Sequence, residues 1–229
     1  GIETVQSEAE ADLRSVMHTL GANHGSRNLF SGDATDQPTF AEPDVLLDDL
    51  RAIMAGAATT ADVEAALDTY FDDPAGGFQT RIYTGGENNA PAIRIGADDK
   101  IEIDIRGDSA AIKDVLKGLA VIATSSSSNF AIDSQDFADV IQVGANSASA
   151  GTLGLISLEA DVGVYGSTIE KSDERNDAEL TSLSAAYQTL TGRDQFEAAT
   201  ELKQLETQLE SSFLLTARLS NLTLTNFLR

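Results

Sequence analysis

Apolar residues recur every three or four positions at the start of the chain, with charged residues between them. This spacing predicts an amphipathic helix over residues 2–22. The same period returns at Pro43, a residue suited to the first turn of a helix. It returns again after Thr59, where Asp62 stands three positions later in a capping-box spacing. The first 72 residues therefore predict three helices.

The apolar period then changes from about four to two, which indicates extended strands. The three predicted strands cover residues 78–83, 92–95 and 101–105. Glycine, asparagine and aspartate separate them, as turns require. A helix containing Ile112 and Ile122 follows, and the four serines from Ser125 to Ser128 have the composition of a linker or surface loop. Residues 33–128 are therefore predicted to form a small α+β domain.

The longest regular pattern runs from Leu155 to Leu190, in steps of three and four. Such a pattern is typical of the apolar seam of a long bundle or coiled-coil helix. Ser172 and Asn176 interrupt the seam, and they predict either a register device or a kink. Gly192 is predicted to end the helix near Thr191.

The last segment, residues 194–229, has helical spacing but more apolar surface than one neighbouring helix would cover. A terminal helix of this kind usually buries the remainder against another chain. The segment is therefore predicted to be a subunit interface. The predicted interface residues are Leu202, Leu205, Leu209, Phe213, Leu219, Leu222 and Phe227.

The net charge, the apolar runs and the cysteine content of the chain exclude several classes of binding partner and of chemistry. The formal net charge of −22 repels phosphate backbones and anionic membrane surfaces, so neither nucleic acid nor membrane is expected as a partner. No apolar run approaches the roughly 20 residues that span a bilayer. The chain has no cysteine, so disulfides and thiolate chemistry are excluded.

Residues able to carry chemistry are sparse, and no cofactor or metal is expected. His18 and His24 have no second ligand type at metal-binding spacing. Asp98, Asp99 and Asp104 could be imagined as calcium ligands, but their spacing matches no EF-hand loop. No catalytic set of acid, base and nucleophile can be assembled, so the chain is not expected to be an enzyme.

Two segments resemble a known family. Residues 27–40, RNLFSGDATDQPTF, directly follow the first helix and resemble the "R-Y-L-F-x-G" to "P-P-F" stretch of hook-associated protein 3. Residues 192–229 are similar to the C-terminal helix that all flagellins share. The chain therefore resembles the flagellin family, and most closely its branch at the junction of hook and filament.

The resemblance implies a structural subunit of the bacterial flagellum, mainly α-helical, with a long antiparallel helical stem and an inserted α+β domain. Residues 1–32 and 129–193 would form the stem, residues 33–128 the outward-facing domain, and residues 194–229 the assembly helix. A further helix would precede Gly1. The protein would be extracellular, exported without a cleaved signal peptide. Its partners would be the adjacent hook-associated protein, flagellin, further copies of itself in a tubular assembly, and an export chaperone.

Two other functions stay open. The chain could be the filament flagellin itself, which shares the C-terminal pattern. It could also be a secreted coiled-coil protein whose inserted domain binds a ligand such as calcium or a surface glycan.

Overall fold

The protein is mainly helical, with 71% of its residues in helices. A computed structural model describes residues 1–97 and 99–227, and it describes side-chain surroundings for these residues except 193–195 and 220–227. The α-helices are α1 (Ile2–Leu20), α2 (Pro43–Gly56), α3 (Thr60–Asp72), α4 (Ala110–Thr124) and α5 (Gln135–Phe227). A π-helix covers Phe78–Ile82, and a 3-10 helix covers Ser125–Ser127. The strands are β1 (Asn23–His24), β2 (Arg27–Asn28), β3 (Ile93–Arg94) and β4 (Lys100–Ile101).

The chain divides into two compact units, Gly1–Glu170 and Lys171–Arg229, called unit 1 and unit 2 below. The core of unit 1 lies among its four short α-helices. Each helix contributes the apolar stripe that its sequence predicted: Leu13 from α1, Leu50 from α2, Leu67 from α3 and Leu116 from α4 are fully buried. Burying such a side chain contributes roughly 1.5–3 kcal/mol. The helices predicted from periodicity are thus the elements that form the core.

The start of α3 confirms the predicted cap. The Thr59 side chain accepts a hydrogen bond from the Asp62 backbone N–H at 3.2 Å, while the Asp62 carboxylate accepts one from the Thr59 backbone N–H at 2.9 Å. The Thr59 hydroxyl also donates to the Asp62 carboxylate at 2.9 Å, and this bond is the largest cause of the lowered pKa of Asp62. Two helix-end donors are thereby satisfied by residues close together in the sequence.

Glycines allow α4 and α5 to approach each other closely. A Cβ on Gly118 would lie 2.6 Å from the Gly144 carbonyl oxygen, and a Cβ on Gly151 would lie 2.5 Å from the Val115 backbone nitrogen. Both distances are too short for a side chain. The first part of α5 therefore packs against α4 backbone to backbone.

The predicted strand at residues 78–83 is wrong, because Phe78–Ile82 is a π-helix. Phe78 and Ile82 are both fully buried while Thr80 between them is exposed, which fits one helical turn, whereas a strand would place all three residues on one face. The other predicted strands shrink to two-residue pairings, Ile93 with Ile101 and Arg94 with Lys100. The inserted α+β domain is not confirmed, since residues 33–128 consist mainly of helices and loops.

The serine run is not a free linker. Ser125 is fully buried, and its hydroxyl accepts a hydrogen bond from the Gln6 side-chain amide at 2.8 Å. The Ser125 hydroxyl in turn donates to the Ile122 carbonyl oxygen at 2.8 Å. Serine composition predicted exposure, whereas a partner on α1, 119 residues away, holds this turn against the helices.

The predicted helix end at Gly192 is also wrong, because α5 continues from Gln135 to Phe227. One glycine costs a helix about 1 kcal/mol relative to alanine, which is too little to stop a long one. Ser172, predicted to interrupt an apolar seam, is almost fully buried.

Within the described residues, no helix is both long and apolar enough to traverse a lipid bilayer.

Candidate assembly surface

Unit 2 presents an exposed apolar stripe on α5. Its residues are Leu202, Leu205, Leu209 and Phe213, called the C-terminal stripe below. At 100° per residue, these four positions fall within an arc of about 80° on the helix surface. Their exposed fractions lie between 55% and 68%. The structure therefore places four of the predicted interface residues on one face, and leaves that face open.

The other three predicted interface residues differ in position. Leu219 is 63% exposed but lies about 80° beyond Leu209 around the helix. Leu222 and Phe227 belong to α5, and their side chains lie outside the described residues. Leu214 and Leu215 are also exposed and widen the apolar surface beyond the stripe.

Sequence reasoning missed the earlier part of this surface. The predicted bundle seam includes Leu180, Leu183, Tyr187 and Leu190, and all four are more than half exposed. At 100° per residue these four positions span an arc of about 80°, which overlaps the edge of the C-terminal stripe and is centred about 60° away from it. The signal was present in the sequence, since the apolar period is the same. Periodicity identifies an apolar face but does not tell whether its partner belongs to the same chain.

The loop after β2 is held in a fixed shape by hydrogen bonds. The Ser31 hydroxyl donates to the Gln37 carbonyl oxygen at 3.0 Å and lies 3.0 Å from the Thr39 hydroxyl. Gly32 has a φ of +58°, and a Cβ there would strike the Asn88 carbonyl oxygen. A glycine is therefore required at this position.

A second set of contacts ties this loop to the segment around Asn88. The Asn88 side chain donates to the Asp33 carboxylate at 2.9 Å, and this bond is the main reason that the pKa of Asp33 is lowered. The Gly86 backbone N–H donates to the Ser31 carbonyl oxygen at 2.9 Å. Tyr83 packs edge-on against Phe40, and burial raises the pKa of Tyr83 to about 12. Hydrogen bonds and ring contacts thus hold much of residues 27–40 in place within unit 1.

Charge is divided unevenly between the two units. Unit 1 has nine basic and 28 acidic residues, a formal net charge of −19, whereas unit 2 has six basic and nine acidic residues, a formal net charge of −3. At least six of the nine basic side chains in unit 1 already form ion pairs. These are Arg14, Arg51, Arg81, Arg106, Lys113 and Lys117. The carboxylates of unit 1 outnumber its basic side chains by about three to one.

This imbalance predicts that the protein is stabilised by salt. Raising NaCl from about 10 mM to 150 mM shortens the Debye length from about 30 Å to 8 Å and screens the repulsion among the carboxylates. We expect the thermal unfolding midpoint, measured by circular dichroism, to rise over this range. Choline chloride is the matched control, because screening depends on ionic strength and not on the cation. A rise with NaCl alone would contradict screening and would point to bound sodium.

Among the described residues, no group of three His, Asp or Glu side chains is arranged so that it could hold a metal ion. Asp98, one of the imagined calcium ligands, lies outside the described residues. Asp104 instead accepts a hydrogen bond from the Tyr165 hydroxyl at 2.7 Å. The surface with the clearest potential for function is therefore apolar and helical.

A comparison with protein families matches the part of the chain that carries this surface. Residues 151–228 match the bacterial flagellin C-terminal helical region. The match covers most of α5, including the whole C-terminal stripe, and supports the flagellin family. Flagellins are structural, non-enzymatic proteins that are exported and self-assemble into the extracellular flagellum. No curated protein and no solved structure matches the chain.

Proposed function

We propose that this protein is a structural subunit of the bacterial flagellum that joins hook to filament through helix packing. The observation that carries the proposal is the open apolar face of α5 inside the segment that matches the flagellin C-terminal region. An apolar face more than half exposed over several turns is costly in water and favours burial against another subunit. The interface residues proposed are Leu202, Leu205, Leu209, Phe213, Leu219, Leu222 and Phe227.

The proposed organisation assigns residues 1–32 and 129–193 to the stem, residues 33–128 to the outward side, and residues 194–229 to the assembly helix. The charge of residues 33–128 supports placing them outward, because seven basic and 18 acidic residues give this segment a formal net charge of −11, which favours contact with water over close packing. The proposed assembly helix, residues 194–229, has a formal net charge of only −2. The proposed partners are the adjacent hook-associated protein and flagellin, with an export chaperone before assembly.

The junction role, as opposed to the filament role, is supported by residues 27–40. Their resemblance to hook-associated protein 3 coincides with the loop fixed by Ser31, Gly32 and Thr39. The second candidate is filament flagellin, which the match to residues 151–228 favours equally. The two candidates differ in location and copy number along the flagellum.

Immunogold electron microscopy tests both candidates directly. Antibody raised against residues 33–128 is applied to flagella of the source cells, with a deletion strain as the control. We expect one cluster of gold where hook meets filament. Label along the whole filament would establish the filament role, and flagella without label would overturn both candidates.

A further inference from the structure

The first part of α5 carries a long stretch without charge. No charged residue occurs from Val140 to Leu158, although unit 1 has a formal net charge of −19. These 19 residues are all helical and extend about 28 Å. A surface helix in so acidic a unit would be expected to carry several carboxylates. Their absence needs a reason.

Burial explains only one side of this stretch. Gly144 and Gly151 contact α4 backbone to backbone. The opposite side carries Asn146, Ser149, Leu153 and Ile156, called the outer face below. These positions share an arc of about 80°, centred roughly opposite the two glycines. All four are exposed, Leu153 by 67% and Ile156 by 58%. The outer face is thus uncharged, with polar residues at Asn146 and Ser149 and apolar residues at Leu153 and Ile156 one to two turns further along the helix.

We propose that the outer face is a second subunit contact, at which unit 1 packs against unit 1 of another copy of this chain. The proposal rests on the proposed function, since it requires the protein to self-assemble. Two copies of unit 1 repel each other over most of their surfaces, at distances up to about 8 Å in physiological salt. The electrostatic repulsion between two copies is smallest where both present an uncharged helical face. Its exposed leucine and isoleucine then supply the apolar area of the contact.

The helix that carries the outer face is also fixed in position. Its backbone is held against α4 by the glycine contacts, so the outer face is presented without rearrangement. Serine and asparagine beside the two apolar residues can form hydrogen bonds at the edge of an interface. The C-terminal stripe lies in unit 2, so the two contacts use different parts of α5 and can be disrupted separately.

The test compares three single substitutions in the full-length protein. Leu153→Asp places a charge on the outer face. Thr69→Asp adds the same charge to the exposed surface of α3 and is the matched control. Leu209→Asp places a charge on the C-terminal stripe. The critical concentration for assembly is measured by sedimentation in 150 mM NaCl, and circular dichroism confirms that each variant is folded.

We expect Leu153→Asp to raise the critical concentration by about tenfold or more, because an unpaired charge is buried at the contact, and Thr69→Asp to leave it within about twofold. Normal assembly of Leu153→Asp, with failure of Leu209→Asp, would overturn the outer-face contact and leave the proposed function standing. Normal assembly of both would overturn both proposals. If Leu153→Asp self-assembled normally but failed to join flagella in cells, the face would bind another protein, and the second copy would be the wrong partner.

Discussion

Leu209→Asp and Phe213→Asp are each expected to abolish incorporation of the protein into flagella. Both side chains lie on the C-terminal stripe and are more than half exposed in the isolated chain. In an assembly the new carboxylate would be buried without a partner, at a cost of several kcal/mol per contact. A cost of that size weakens each contact by about a hundredfold or more. The measurement is the amount of tagged variant recovered in sheared flagella, relative to wild type.

Thr207→Asp is the matched control for this prediction. Thr207 lies on the same helix, is exposed, and faces about 160° away from the centre of the C-terminal stripe. It introduces the same charge into the same stretch of sequence, so effects on export or helix stability would be shared. We expect Thr207→Asp to be incorporated normally. Equal incorporation of all three variants would show that the C-terminal stripe is not an interface.

Gly118→Ala is expected to destabilise unit 1 although alanine favours helices more than glycine does. The added methyl group would lie 2.6 Å from the Gly144 carbonyl oxygen, and α4 and α5 would have to move apart. Overpacking of this kind costs about 1–3 kcal/mol. The free energy of unfolding is measured by urea titration, with circular dichroism as the probe.

Gly163→Ala, in α5, is expected to have the opposite effect on stability. Apart from the backbone of its own helical turns, no atom lies within 4 Å of the position that its Cβ would take, so only helix propensity changes. We expect this variant to be more stable than wild type, by about 0.5–1 kcal/mol. Opposite signs for the two substitutions would demonstrate close packing at Gly118. Stabilisation by both would contradict the packing of α4 against α5.

Local signals in the sequence predicted the elements that depend on near neighbours. Pro43 begins α2, and Thr59 with Asp62 caps α3, because both effects act within one helical turn. The failures involve distant partners or weak local preferences. Phe78 and Ile82 form a π-helix in place of a strand, and Gly192 fails to end α5. In each case packing or the length of the helix outweighs a preference of about 1 kcal/mol.

The surface proposed for assembly shows the same contrast between features set by near neighbours in the sequence and features set by distant ones. Periodicity alone located an apolar face at Leu202, Leu205 and Leu209, since spacing is a property of the helix itself. It did not reveal that the apolar residues from Leu180 to Leu190 are exposed, nor that the outer face of α5 lies on the side opposite α4.

The sequence by itself thus determined the helices, the strong negative charge and the apolar stripes, because these follow from local spacing and composition. Only the tertiary structure shows which apolar stripes are covered. It also shows that Ser125 is buried against Gln6 and that α5 packs closely against Gly118 of α4. The physical reason is that burial depends on neighbours far apart in the chain. A stripe of leucines has the same pattern whether it faces its own core or another subunit.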